Sequence, residues 1–196
     1  MARPRKFDEA EVVAAARDEF WSRGYAATSV DDLSAATGLG KGSIYAAFGD
    51  KHGLFLRALD VYCTDMIGAF VVELTVPNLG GYDRLLHHIR SQAKRFATDK
   101  ARRGCLMAKS AAELAATDAE ADAIIERSLA KWRRALTGCV QAGQAERAIG
   151  PDADPEALAT AVLAFVRGLE ALDKGGVRPA QIKAAAEAFI SMIPRA

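Results

Sequence analysis

The chain has 196 residues, 51% of them hydrophobic and 26% charged, with a formal net charge of +1. That length suits one moderate domain or a small domain fused to a larger one. The near-zero charge excludes bulk attraction to nucleic acid, so any case for DNA rests on local arrangement. The three cysteines, Cys63, Cys105 and Cys139, match no zinc or CxxC spacing. Such a sparse, odd set suggests a reducing compartment. No segment reaches the roughly 18 consecutive apolar residues of a membrane span. The basic segment from Met1 to Lys6 leads into no apolar stretch and so is no signal peptide. A cytoplasmic, alanine-rich, all-α protein is expected.

Asp8 and Glu11 stand at capping-box spacing, with Phe7 and Val12 at the staple positions, and open helix 1. Val12, Val13, Ala16 and Phe20 share its inward face, and Gly24 stops it. Ser29 caps a short helix 2 with Leu33 and Ala36 inward, closed by Gly38. Helix 3 runs from about Lys41 to Phe48, and Gly49 stops it. Asp50 caps a long helix 4 whose buried stripe is Phe55, Leu59, Tyr62 and Met66.

Pro77 and Gly80-Gly81 mark the clearest loop. Helix 5 follows with Leu85, Leu86, Ile89, Ala93 and Phe96 in phase, then a basic bend at 100–104 and helix 6 around Cys105 to Ala116. Ile125, Leu129, Trp132, Leu136 and Val140 carry a long helix 7. Asp154 caps helix 8, with Pro155 at its first position. Pro179 opens helix 9, with Ile182, Ala186, Phe189 and Ile190 inward. About nine helices and no strand result.

The informative stretch is SVDDLSAATGLGKGSIYAAF, from Ser29 to Phe48. Two short helices meet at a tight turn around Gly38-Leu39, the helix-turn-helix plan in which the second helix enters the major groove. Leu33, Leu39, Ile44 and Phe48 close a small core, and Ser34 is small enough for a close crossing. The second helix exposes Lys41, Gly42, Ser43 and Ala46. Lys41 suits a phosphate or a guanine, Ser43 and Tyr45 suit phosphate oxygens, and Gly42 permits close backbone approach. Through Lys51 there are seven basic and eight acidic residues, a net of −1. Binding then requires the positive charges to be gathered on the DNA face.

The spaced pieces F-x-x-x-G-Y (Phe20 to Tyr25), T-S-V-D-D-L (Thr28 to Leu33) and G-L-G-K-G-S-I-Y (Gly38 to Tyr45) occur in that order. F-G-D-K (Phe48 to Lys51) and L-F (Leu54-Phe55) follow them. This run, about a quarter of the chain, resembles the TetR family of transcriptional regulators. The resemblance implies a three-helix DNA-binding domain over residues 1–51. It also implies a helical ligand-binding and dimerisation domain over residues 52–196. It implies DNA contacts from Thr28, Ser29, Lys41, Gly42, Ser43, Tyr45 and Lys51, the last resembling the family's phosphate-binding lysine. Arg3, Arg5 and Lys6 resemble a flexible arm along the backbone or minor groove. Gly40, Ala46 and Ala47 depart from the family's more polar residues. The implied partners are double-stranded operator DNA, a second copy of the chain and an unknown small-molecule inducer.

Weaker signals lie further along. Cys105, at the predicted start of helix 6 near Arg102, Arg103 and Lys109, is a candidate thiol sensor or a core residue. One of His87 and His88 points inward; His87 and Trp132 are candidate ligand contacts, and His52, between the domains, is expected to be solvated. Leu158, Val162, Phe165, Leu169, Ile182 and Phe189 form a stripe broad enough for a dimer interface, with Gly168 permitting close approach. No metal or cofactor site is expected. No Ser/His/Asp order or phosphate loop supports an enzyme. The alternative reading is a helical interaction protein with a vestigial helix-turn-helix.

Overall fold

The punctuation read from the sequence corresponds to physical caps in a computed structural model, which describes residues 7–99, 102–114 and 117–196. Arg3, Arg5 and Lys6 lie outside these described residues. Nine helices, and no strand, occur among the described residues: α1 (Glu9–Arg23), α2 (Val30–Thr37), α3 (Lys41–Phe48), α4 (Lys51–Leu74), α5 (Gly81–Thr98), α6 (Leu106–Leu114), α7 (Ala119–Ala145), α8 (Pro155–Lys174) and α9 (Pro179–Ser191). Asp8 caps α1 by accepting from the Ala10 N–H at 2.8 Å. Asp154 caps α8 by accepting from Glu156 and Ala157, with Pro155 at the first helical position. None of these helices is long and apolar enough to cross a membrane.

Packing divides the chain into two units. One takes the described part of Met1–Thr64 together with Cys105–Glu126; the other takes Asp65–Gly104 and Arg127–Ala196. This packing division falls inside α4 and α7. In the first unit Val12, Val13, Ala16 and Phe20 of α1 are buried, as are Leu33, Ile44, Leu54, Phe55 and Leu59, and the Phe20 and Phe55 rings meet edge to face at 5.2 Å. Ala36, expected inward, is exposed. On a helix as short as α2, Leu33 is the buried residue.

In the second unit, α5 packs against α8 and α9. Its core runs through Leu85, Ile89, Phe96, Trp132, Leu136, Val162, Val166, Leu169, Ile182 and Ile190. Gly81 opens α5 hard against α7: a Cβ there would come within 2.4 Å of Cys139 O and Gly143 N. Three of the six expected interface residues, Val162, Leu169 and Ile182, are buried in this core at 0%, 1% and 0% exposure. A stripe spanning more than 100° of a helix serves two neighbours, and these side chains sit on the intramolecular side. Leu158, Phe165 and Phe189 are only half-buried. Phe165 and Phe189 stack at 4.0 Å, and Leu172 of α8 (46% exposed) and Met192, just past the end of α9 (69%), expose apolar side chains.

One polar chain crosses this core. Trp132 Nε1 donates to His88 Nε2 at 3.0 Å, and His88 Nδ1 lies 2.8 Å from Glu73 Oε2. Indole nitrogen can only donate, so His88 Nε2 is an acceptor and the proton sits on Nδ1, which donates to Glu73. Ser91 Oγ donates to the other Glu73 oxygen at 2.8 Å. The inward histidine is thus His88, with no exposed surface; His87 faces solvent, one position round the helix, and does not join Trp132. Burial alone would raise the Glu73 pKa, but the hydrogen bonds from His88 and Ser91 outweigh it and hold the carboxyl below its ordinary value of 4.5. Its contribution to stability is therefore present above about pH 4.5 and lost as the pH falls through the depressed folded value. Chemical denaturation followed from about pH 6 down to pH 3 should show the wild type losing more stability than Glu73→Gln, whose amide does not titrate.

Candidate nucleic-acid interface

Helix α2 begins with a complete capping box. Ser29 Oγ accepts from the Asp32 N–H at 3.1 Å, and Asp32 Oδ2 accepts from the Ser29 N–H at 2.9 Å. The Ser29 hydroxyl also donates to Asp32 Oδ2 at 2.6 Å; this bond first, then the one from the Ser29 N–H, with a salt bridge to Arg23, hold the Asp32 carboxyl below its usual range. Helix α2 ends at Gly38 with φ 69°, the left-handed turn a Cβ would disfavour. Ser34 Oγ donates to Leu39 O and closes the inside of the turn.

Helix α3 follows with Ile44 as its buried anchor. Lys41, Gly42, Ser43 and Tyr45 are all exposed, so the structure brings these four expected contacts onto one short helix. Gly40 caps α3 with no side-chain hydrogen bond. The first N–H groups of a helix have no intrahelical partner, so this end offers donors and the positive pole of the helix to an anion. No Cβ at Gly40 or Gly42 would meet anything within 4 Å, which leaves the approach open.

Thr28 and Lys51 are placed differently from the expectation. Thr28 has no exposed surface, and its hydroxyl donates to Gly24 O at 2.7 Å. It fixes the turn, and its side chain is withdrawn from any phosphate. Lys51 Nζ donates to Tyr25 O and Thr28 O, both at 2.9 Å, and lies 4.2 Å from the centre of the Tyr25 ring. Only the third ammonium proton remains for an external acceptor. Ser29 stays exposed beside it.

Four described cations of this region are paired with carboxylates. Lys41 contacts Asp31 at 2.7 Å, Arg17 contacts Asp18 at 3.2 Å, Arg23 contacts Glu19 at 2.7 Å, and Arg57 contacts Glu9 at 3.6 Å. Asp31 raises the pKa of the Lys41 ammonium, by hydrogen bonding first and by charge second.

Three residues that support this site, Lys109, Glu113 and Asp118, carry no local sequence signal. Lys109 Nζ of α6 donates to Trp21 O at 2.8 Å and Ser22 O at 3.3 Å, satisfying carbonyls at the end of α1. One turn on, Glu113 accepts from the N–H groups of Tyr25 (3.0 Å) and Ala26 (2.6 Å). Asp118 caps α7 through Glu120 N and Ala121 N, and its other oxygen meets His52 Nε2 at 2.7 Å. His52 is therefore held, where solvation was expected. Tyr25 packs on Phe20 and Phe55, and its pKa is raised, first by burial and then by Asp50, Asp118 and Glu113. Cys105 is buried at 1% one residue before α6, the position of a core thiol rather than an exposed one. None of the three cysteines is in a disulfide.

The family described as "Bacterial regulatory proteins, tetR family" matches residues 12–58, and "Tetracyclin repressor-like, C-terminal domain" matches residues 81–189. The chain is 30% identical over 161 residues to the uncharacterized HTH-type transcriptional regulator YezE of Bacillus subtilis, covering 81% of this chain and 82% of that protein. It is 28% identical over 167 residues to the HTH-type transcriptional repressor ComR of Escherichia coli, covering 85% and 80%. Among solved structures, a cysteine-substituted TetR family regulator CifR in complex with 26-bp operator DNA superposes with a TM-score of 0.82 at 28% identity, covering 98% of this chain and all of that one.

Glu113→Ala removes the acceptor for two backbone N–H groups near the surface, where water offsets part of the loss, so the expected cost is about 1 kcal/mol. Amide hydrogen exchange should accelerate several-fold at Tyr25 and Ala26 while the α5 amides stay protected. Unchanged exchange at those two positions would contradict the role assigned to Glu113.

Proposed function

Because the chain belongs to the TetR family of bacterial regulatory proteins, we propose that it works in the cytoplasm as a homodimeric repressor, two α3 helices entering successive major grooves of an operator. The observation that carries this reading is the open, uncapped α3 N-terminus with Lys41, Gly42, Ser43 and Tyr45 exposed on it. The operator complex of CifR, at similar fold and 28% identity, supports it. Lys41 neutralises a backbone phosphate, Ser43 and Tyr45 donate to phosphate oxygens, and Gly42 lets the backbone come close. Ser29 and the remaining proton of Lys51 add contacts at the α2 end, and Arg3, Arg5 and Lys6 follow the backbone as an arm. Base reading falls to few side chains, with Ala46 suited to a thymine methyl.

In this reading residues 1–51 meet DNA, and 52–196 respond to a signal and dimerise. The outer face of α8 and α9, with Leu158, Phe165, Phe189, Leu172 and Met192, pairs with its copy. Half-sites one helical turn apart require the two α3 helices of the dimer to stand about 34–36 Å apart. The signal is a small molecule in the helical domain, or modification of Cys105 after local opening. Either acts through α6, because Lys109 and Glu113 hold the backbone that positions α2 and α3. A coupling of about 1–3 kcal/mol suffices for release.

The test is a gel shift against DNA flanking the chain's own gene, at several salt concentrations. Wild type should shift it, and Lys41→Ala should bind more weakly, with a log K against log salt slope reduced by about one. Binding to no duplex at low salt, including a randomised pool, would favour a vestigial helix-turn-helix. For the dimer, Leu172→Glu places a charge on the outer face of α8. Sedimentation should then show a folded monomer where wild type sediments as a dimer.

A further inference from the structure

The Lys41–Asp31 pair stands where an incoming phosphate would be received. Lys41 is the first residue of α3, at the helix end whose N–H groups lack a side-chain cap. Asp31 Oδ1 lies 2.7 Å from its Nζ, and both side chains are largely exposed, at 52% for Lys41 and 75% for Asp31. Asp31 makes no contribution to the box that starts its own helix, a job done by Ser29 and Asp32. The carboxylate thus carries a phosphate-like charge within hydrogen-bond distance of the Lys41 ammonium, and it is built into the protein.

We propose that Asp31 is an intramolecular competitor for the phosphate site of α3, occupying Lys41 in the free protein and lowering the affinity for DNA of any sequence. The inference rests on the DNA-binding reading above and assigns within it a role to a residue that would not itself touch DNA. When a phosphate reaches Lys41, Asp31 either stays and repels it or turns away without its partner. Both outcomes weaken binding, and neither depends on base sequence. An operator offsets the loss through contacts to base edges, while non-operator DNA, held by its phosphates alone, cannot. The neighbouring ion pairs, Arg17–Asp18, Arg23–Glu19 and Arg57–Glu9, leave few described cations of the head to hold random DNA. Such restraint matters because non-specific sites vastly outnumber operators.

The experiment compares wild type, Asp31→Asn, Asp31→Glu, Lys41→Gln and the Asp31→Asn/Lys41→Gln double variant. Each is titrated onto a fluorescent operator duplex and a random duplex of equal length, at about 50 and 200 mM salt. Asp31→Asn should tighten binding to both duplexes by about two- to fivefold at the lower salt, the range an exposed ion pair supports. The gain should shrink at the higher salt. Asp31→Glu should behave like wild type, since it restores the carboxylate. In the Lys41→Gln background the gain should disappear. Unchanged affinity in Asp31→Asn overturns the proposal. An equal gain with Lys41 already removed also overturns it, because the effect would then be one of net charge. If wild type and Asp31→Asn both bind neither duplex, the DNA-binding reading itself fails, a result distinct from either of these.

Discussion

A helix-turn-helix reads DNA only if its second helix is held at one attitude, and here that attitude depends on how the backbone from Trp21 to Thr28 is satisfied. The segment leaves helical carbonyls at one end and outward N–H groups at Tyr25 and Ala26. Three long side chains complement it by charge. The ammonium groups of Lys109 and Lys51 sit on carbonyl oxygens, and the Glu113 carboxylate sits on N–H groups. Helix-end carbonyls attract cations, and exposed N–H pairs attract anions. The buried Thr28 hydroxyl closes the same turn from inside. The capping box of α2, the left-handed Gly38 and the open end of α3 follow from this fixed start.

The charge of the head has a consequence for affinity. A DNA-binding surface usually gains much of its hold from an excess of Lys and Arg that releases counterions. This head has no such excess through Lys51, and each of its described cations up to Arg57 is already engaged by a carboxylate or by carbonyls. Binding must exchange internal partners for phosphates, so the net gain per contact is small. Helix-end N–H groups, which carry no counter-charge of their own, then take a larger share. Gly40 and Gly42 keep that end open.

The second unit solves a different problem. Its core accommodates a half-buried carboxylate and a fully buried imidazole by linking them in one chain, Trp132 to His88 to Glu73, with Ser91 on the remaining oxygen. A buried polar group without a partner costs more than its hydrogen bond contributes, so such a chain is stable only when complete. Each donor in it meets an acceptor, which fixes the tautomer of His88 and the orientation of the indole. Apolar packing on α8 and α9 is split between this core and an outer face where Phe165 and Phe189 stack.

The helices, the caps at Asp8, Ser29 and Asp154 and the turn at Gly38 were legible in the sequence because each depends on neighbours within four residues. The same holds for Lys41, Gly42, Ser43 and Tyr45, whose exposure follows from Ile44 being the single inward anchor of a two-turn helix. Tertiary structure decided what lies beyond that range. Glu113 and Lys109 reach backbone groups 87 and 88 residues away, and no local pattern marks them. Thr28 and Lys51 matched a motif by type, yet packing turned one inward and placed the other on carbonyls. His87 and His88 are adjacent and chemically equal in sequence; only the helix phase set by the α5 core buries the second. Val162, Leu169 and Ile182 were apolar in helical phase, but periodicity gives the width of a stripe and not which neighbour covers each side. The sequence by itself therefore determined the helices and the exposed residues of α3, through short-range capping and periodicity. Only the fold decided which long side chains hold them in place, because those partners meet through space.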